Sequence, residues 1–482
     1  MVLHQRIVSA PVDFGAVRTE FGMVSEYPAE AVSEARDAVD AFAGSRADRT
    51  DIPFVTIDPP GALDLDQALH LERTSSGFLL RYAIADVAAV VAPTGALARE
   101  SLARAETFYL PDGTVPLHPP VLSEGSASLL PDQDRPAALW TIECDEAGEP
   151  QRFSVERALV RSRARLDYAG VQADADAGRL HPSIAALPEF GRLRIEAGLA
   201  RGAIGLRLPA QSVVPDGHDK GGGQHWQLVL EPRTEADDWN EQISLLTGMC
   251  AARIMLGETG DSGGRIGLLR TMPAPPPAAV ESMRRTAAAL GIDWPAETSV
   301  GRMLAALDTE TPAALVLMSE ATGLLRGATY TVLGDEAPAV VEHSGIGAPY
   351  AHVTAPLRRL ADRYATEICL ARCAGTPVPR WVRDGLSEAA ESMRRGDAVA
   401  GKLERACLDL TESTVLADRL GSVFRAVVVR EANGSRPAEI FVAEPPVVAK
   451  CVGSPPEGWQ VRVRLVESAP ATRTVTFAFP AD

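Results

Sequence analysis

Pro53-Phe-Val-Thr-Ile-Asp58-Pro-Pro-Gly-Ala-Leu-Asp64-Leu-Asp66-Gln67-Ala-Leu69 brings three carboxylates together, with no Lys or Arg between positions 52 and 72 to neutralise them. Val55, Ile57 and their neighbours read as a short strand, and Asp58-Pro-Pro-Gly61 is turn chemistry that ends it. Asp64 and Asp66 stand two apart at the start of the next extended run, Leu63 to Leu71, so their side chains leave one face of it. If the turn folds back, Asp58 joins them. Such a cluster repels itself unless a hard cation sits among the oxygens, and Mg²⁺ or Mn²⁺ with carboxylate and phosphate ligands suits it. Spacing alone leaves a second reading open: an Asp-Pro turn followed by an ordinary half-exposed strand.

A second constellation lies far downstream, in Tyr350-Ala-His352-Val-Thr354-Ala-Pro356-Leu-Arg358-Arg359-Leu-Ala-Asp362-Arg363-Tyr364. Pro356 before an apolar-periodic run is a helix-start signal with Thr354 as N-cap, which puts Arg358 and Arg359 in the first turn. Cations there oppose the helix dipole, so the placement suggests an anion nearby; a solvated Arg pair is the plainer reading.

The spacing Asp58-x5-Asp64-x-Asp66 after Phe-Val-Thr-Ile, and His-x-Thr-x-Pro-x-Arg-Arg-x-x-Asp in the same order along the chain, resemble the RNB family of exoribonucleases. The family places a fourth Asp where this chain has Gln67, whose amide oxygen is a neutral ligand at best. The resemblance implies an α+β fold: an RNB catalytic domain, a mixed β-sheet core surrounded by helices, with a C-terminal OB-like β-barrel. It further implies Asp58, Asp64, Asp66 and Gln67 around Mg²⁺ or Mn²⁺, Asp66 as the most critical acid, and Arg358 on the scissile phosphate. Arg359 and Asp362 are expected to form a structural ion pair. Tyr109, in Phe108-Tyr-Leu-Pro, falls where the family stacks the 3′ base, although packing is the commoner role for such an aromatic. Trp226 is the candidate second wall of that clamp. Gln242 falls near the terminal ribose, where a solvated helix face is the alternative, and His352 and Thr354 lie within the substrate-side motif. The implied activity is 3′-to-5′ hydrolysis of single-stranded RNA to nucleoside 5′-monophosphates. Two alternatives stay open: a catalytically weakened RNA-binding relative, given Gln67, and a phosphodiesterase acting on another nucleotide substrate.

Composition pulls the other way. With 47 Lys plus Arg against 64 Asp plus Glu the net charge is −17, whereas proteins that grip nucleic acid from outside are basic. A narrow, locally basic channel inside an acidic exterior would reconcile the two. Six scattered Cys, without Cys-x-x-Cys, exclude a zinc site and fit a cytoplasmic protein. No apolar run spans a membrane. A monomer is expected.

Four segments follow: a helical leader over 1–50, patterned from Pro28 to Ala43, with no cold-shock domain before the acidic motif; the catalytic domain over 51–375; a helical connector over 376–420, read as a hairpin; and a barrel over 421–482. Leu69 to Asp86 reads as a β-hairpin, with Asp86 either near the site or capping a turn. His218-Asp-Lys-Gly-Gly-Gly lacks the Gly-Lys-Ser/Thr of a phosphate loop and reads as a loop. Ala236 to Leu256 has helical spacing. Five strand candidates after Val423 match an OB barrel, with Phe424, Phe441 and Trp459 as its aromatics.

Overall fold

The computed structural model describes residues 9–481 except 207–209, 218–223, 232, 259–263, 309–310, 335, 337 and 435. The glycine run after His218 therefore lies outside the described residues.

A six-stranded mixed sheet forms the centre, in the order Ala47–Asp48, Pro150–Leu166, Phe54–Ile57, Gln67–Thr74, Gly77–Ala85, Asp134–Cys144. The strand Pro150–Leu166 also pairs with Asp134–Cys144, so the sheet closes on itself. The hairpin of Gln67–Thr74 and Gly77–Ala85 forms as its alternation requires, in register from Gln67 opposite Ile84 to Thr74 opposite Gly77. One face of the sheet buries Leu69, Leu71, Tyr82 and Trp140 against the central helix Glu235–Met255, whose Trp239, Ile243, Leu246 and Cys250 point inward at helical spacing. That helix starts on a capping box, with Thr234 and Asp237 each accepting the other's backbone amide. The other face packs Phe54, Leu65, Ala83 and Leu139 against Leu97 and Leu122.

The C-terminal strands Val423–Arg430, Ala438–Ala443, Pro446–Val452, Gln460–Ala469 and Thr474–Ala478 close into a five-stranded barrel, as the strand count suggests. Phe424 turns into its core, edge-on to Phe477, whereas Trp459 is 66% exposed.

Three local readings change. The connector is one 37-residue helix, Arg380–Leu416, instead of a hairpin. Gly396 does not break it; a Cβ there would lie 2.9 Å from Ala105 Cβ, so the glycine permits close packing. The N-terminal region is more than a helical leader: the patterned helix covers only Ala29–Arg36, a second short helix spans Gly15–Glu20, and Ser9–Pro11 is a strand paired with His225–Gln227. Asp86 closes its strand beside the acids, where Ala85 N reaches Asp66 O at 2.9 Å, but its side chain caps nothing and lies in a buried network with Arg46 and Arg157 at 2.8 and 3.1 Å.

The long helix meets the barrel at Glu412, which is 2% exposed and accepts from Gln211 Nε2 at 2.7 Å. Burial raises its pKa from the usual 4.5 to about 7. The folded chain therefore holds a proton that the unfolded chain releases above pH 4.5. The associated stability is complete below that pH and is lost as pH rises through 7. Glu412→Gln is expected to equal wild type at pH 4.5 and to exceed it by on the order of 2 kcal/mol at pH 8, measured as urea midpoints.

Candidate active site

Asp58 leaves the end of strand Phe54–Ile57 with its amide on Leu166 O at 3.1 Å, and the chain then loops through Gly61, whose φ is +86°. The extended segment that follows is held by Ser128, whose hydroxyl accepts from Leu65 N at 3.0 Å and donates to Leu63 O at 2.6 Å. The strand proper begins only at Gln67. Asp64 and Asp66 thus sit in a pinned loop, and the charge of Asp64 is felt by both Asp58 and Asp66.

Asp66 is 3% exposed and joins the two halves of the site. Its Oδ1 accepts from Leu357 N at 2.7 Å, and its Oδ2 lies 3.4 Å from Arg358 Nε. Burial pushes its pKa up to about 8, outweighing the opposing pull of Arg358 and the Leu357 amide. Burial likewise lifts Asp58 to about 6, helped by the charge of Asp64 against Thr56, Arg358 and Arg165. Asp58 Oδ2 is buried with no hydrogen-bond partner among the described residues.

The helix expected from Pro356 starts later, at Leu360, because Arg359 is extended (φ −137°, ψ 125°). Asp362 explains the delay. Its Oδ1 takes Ala355 N at 2.6 Å and Arg359 Nη2 at 2.9 Å, which confirms the expected ion pair and folds residues 355–359 into a tight turn. Arg358 therefore projects from that turn, with its side chain 44% exposed, and not from a helix terminus. Thr354 is buried and caps nothing. Upstream, Ala351 N reaches Gly248 O at 3.1 Å; a Cβ on Gly248 would meet the Tyr350 ring at 2.1 Å, so the glycine lets the motif lie against the central helix.

Tyr109 is 55% exposed and lies near enough to Arg358 to feel its charge. Its strand neighbours Phe108 and Leu110 point the opposite way, into a cluster that contains Trp226. Trp226 is 6% exposed and edge-on to Phe14, with centroids 5.5 Å apart. It is a core residue beneath the strand and not the second wall of a clamp. Gln67 also departs from expectation: its Oε1 accepts from the Tyr82 hydroxyl and from Ser244 Oγ at 3.3 Å, so both lone pairs are engaged. Gln242 and His352 are set apart from the acids and line a neighbouring cavity of about 850 Å³, with His352 Nδ1 at 2.8 Å from the Tyr330 hydroxyl. Tyr82 and Ser244, together with Asn240, which donates to the Tyr168 hydroxyl at 3.4 Å, are polar residues near the acids that no motif marks.

An acid-lined loop at the end of a mixed sheet, an arginine brought against it from a tight turn distant in sequence, and an OB barrel beyond define the architecture of RNB-type nucleases. The RNB domain family matches residues 46–371, and the family described as the RNase II-type exonuclease C-terminal S1 domain matches residues 422–479. This chain belongs to the RNB family. It is 27% identical to ribonuclease R of Escherichia coli over 408 residues, 80% of this chain and 48% of that protein. The chain spans less than half the length of the curated relatives it matches. Among solved structures, Mycoplasma genitalium RNase R superposes with a TM-score of 0.82 at 19% identity, covering 96% of this chain and 77% of that one, and has been solved with single-stranded and with double-stranded RNA. Yeast Ssd1, a pseudonuclease, superposes with a TM-score of 0.66 at 15% identity, covering 93% and 53%.

Proposed function

We propose that this chain is a monomeric, cytoplasmic, metal-dependent exoribonuclease that releases nucleoside 5′-monophosphates from the 3′ end of single-stranded RNA. The observation that supports it most is the meeting of Asp66 with Leu357 N and Arg358 Nε across 291 residues of chain. Among the described residues no helix is long and apolar enough to cross a membrane.

A hard divalent cation, Mg²⁺ or Mn²⁺, suits the donor set. The donors are carboxylate oxygens, and the orphaned, buried Asp58 Oδ2 calls for a positive partner. Asp58, Asp64 and Asp66 would hold it, with Gln67 committed elsewhere. Among the described residues no group of three or more His, Cys, Asp or Glu side chains stands ready to hold a metal ion, so the three carboxylates would have to close around it, with water and phosphate completing its shell. Bound there, such an ion supplies Lewis acidity to a phosphate and lowers the pKa of water. Arg358, steadied by Asp66, donates to the phosphoryl oxygens as charge builds on them. Tyr109 offers its exposed ring to the terminal base, a contact that every base can make. Trp459 on the barrel offers a second aromatic face for the incoming strand.

Gln67 favours one rival, an RNA-binding relative without turnover, and a metal titration separates the two. Wild type is expected to shorten RNA in millimolar Mg²⁺ and to stop in EDTA. Gln67→Asp, which adds a charge that Tyr82 and Ser244 can still hydrogen-bond, is expected to lower the half-saturating Mg²⁺ concentration about tenfold. RNA that stays intact with both proteins but is still bound would establish the rival.

A further inference from the structure

Alternation along the barrel strands puts Phe424 and Ala426 of Val423–Arg430, and Val463 and Leu465 of Gln460–Ala469, into the barrel core. The outer face of these two strands therefore carries Val423, Arg425, Arg462 and Arg464, with Val423 opposite Arg464 and Arg425 opposite Arg462. Like charges directly opposite one another destabilise a sheet, yet neither Arg425 nor Arg462 makes an ion pair or hydrogen bond among the described residues. Arg464 donates only to backbone, to Gly421 O at 2.9 Å and to Ala481 O. The acids next to the patch in sequence do not answer this charge: Glu467 accepts from the Thr476 hydroxyl at 2.8 Å, and Asp418 ion-pairs with none of the three arginines.

Aliphatic surface adjoins these arginines. Leu420 is 61% exposed, Val466 45% and Val423 37%, and the bonds from Gly421 N to Leu465 O at 2.9 Å and from Leu465 N to Ser422 O at 3.0 Å bring their segments side by side. Further along the first strand the barrel exterior is already covered: the helix Pro312–Ala321 packs against that strand, and Val427 is 8% exposed. The end with Val423 and Arg425 is left open to solvent. Guanidiniums without counterions beside exposed aliphatic side chains call for a ligand that combines carboxylates with apolar groups. Nucleic acid fits this patch less well. An OB barrel presents nucleic acid to its second and third strands, here Ala438–Ala443 and Pro446–Val452, and the exposed apolar side chains of this patch include no ring on which a base could stack.

We propose that the outer face of the first and fourth barrel strands docks a partner protein through an acidic, aliphatic-rich segment. Its carboxylates meet Arg425, Arg462 and Arg464, and its apolar side chains lie on Leu420, Val423 and Val466. In a chain of net charge −17 such a patch is a local exception, so an acidic segment is repelled elsewhere and held here.

Selection of a random peptide library displayed on phage against the full chain in EDTA tests this. Wild type is expected to enrich peptides rich in Asp and Glu with interspersed Leu, Ile or Val. The affinity of a synthesised binder, read by fluorescence anisotropy, is expected to fall at least tenfold in Arg425→Glu and in Val423→Asp. It is expected to be unchanged in Arg380→Glu, which alters charge equally at an exposed position on the long helix. Arg425→Glu removes a cross-strand repulsion, so the fold is kept, and an unchanged thermal midpoint checks it. The proposal is overturned if no such peptides are enriched, or if they bind either patch variant as tightly as wild type. It is also overturned if Arg425→Glu keeps the peptide and loses affinity for an RNA oligomer or for phosphatidylglycerol vesicles, which would make the patch a nucleic-acid or membrane contact. Peptide binding in EDTA involves no RNA turnover, so this result stands apart from the nuclease reading.

Discussion

Asp66→Asn is expected to slow RNA shortening about a thousandfold while leaving the protein folded. Asn keeps the volume and one oxygen for Leu357 N, so the turn that presents Arg358 survives. It removes the charge that faces Arg358 and the cation proposed for the acid cluster. Without a cation, burial disfavours the charge on Asp66 and raises its pKa to about 8, so a neutral side chain is tolerated in EDTA. The thermal midpoint in EDTA is therefore expected to stay within a few degrees of wild type, and RNA binding to persist. Loss of activity together with loss of the melting transition would make Asp66 a structural residue.

Asp362→Ala is expected to have the opposite profile, a large loss of stability with activity lost as a consequence. Asp362 is fully buried and satisfies three donors: Ala355 N, Arg359 Nε at 3.1 Å and Arg359 Nη2 at 2.9 Å. Its removal strands a guanidinium and a backbone amide in the interior, at a cost of about 3–5 kcal/mol. The urea midpoint reads this directly. Asp362→Leu combined with Arg359→Met is expected to recover part of the loss, because an apolar pair leaves no buried charge unpaired. Equal destabilisation by the single and double variants would show that the turn, and not the ion pair, sets the cost.

Much of the fold is legible in sequence where periodicity is strong. The 67–85 hairpin, the central helix and the five barrel strands each declare themselves through alternation or helical spacing, and the two motifs mark Asp58, Asp64, Asp66 and Arg358. What stays hidden depends on distant partners. The helix at Leu360 starts after its proline signal because the Asp362 side chain captures Ala355 N, and a local signal cannot report a side-chain choice of that kind. Trp226 looks like a binding aromatic until Phe14, more than 200 residues earlier, covers it. Gln67 looks like a spare ligand until Tyr82 and Ser244 take its oxygen. The connector read as a hairpin is one continuous helix, in which Gly396 serves a close contact with Ala105.

The most direct test of the central claim follows an unstructured RNA labelled at its 5′ end, with Mg²⁺, on a sequencing gel. The expected result is a ladder of steadily shorter labelled fragments, with nucleoside 5′-monophosphates as the other product and no ladder in EDTA. Immediate release of the label as a mononucleotide, or RNA that stays full length while still shifted by the protein, would contradict it.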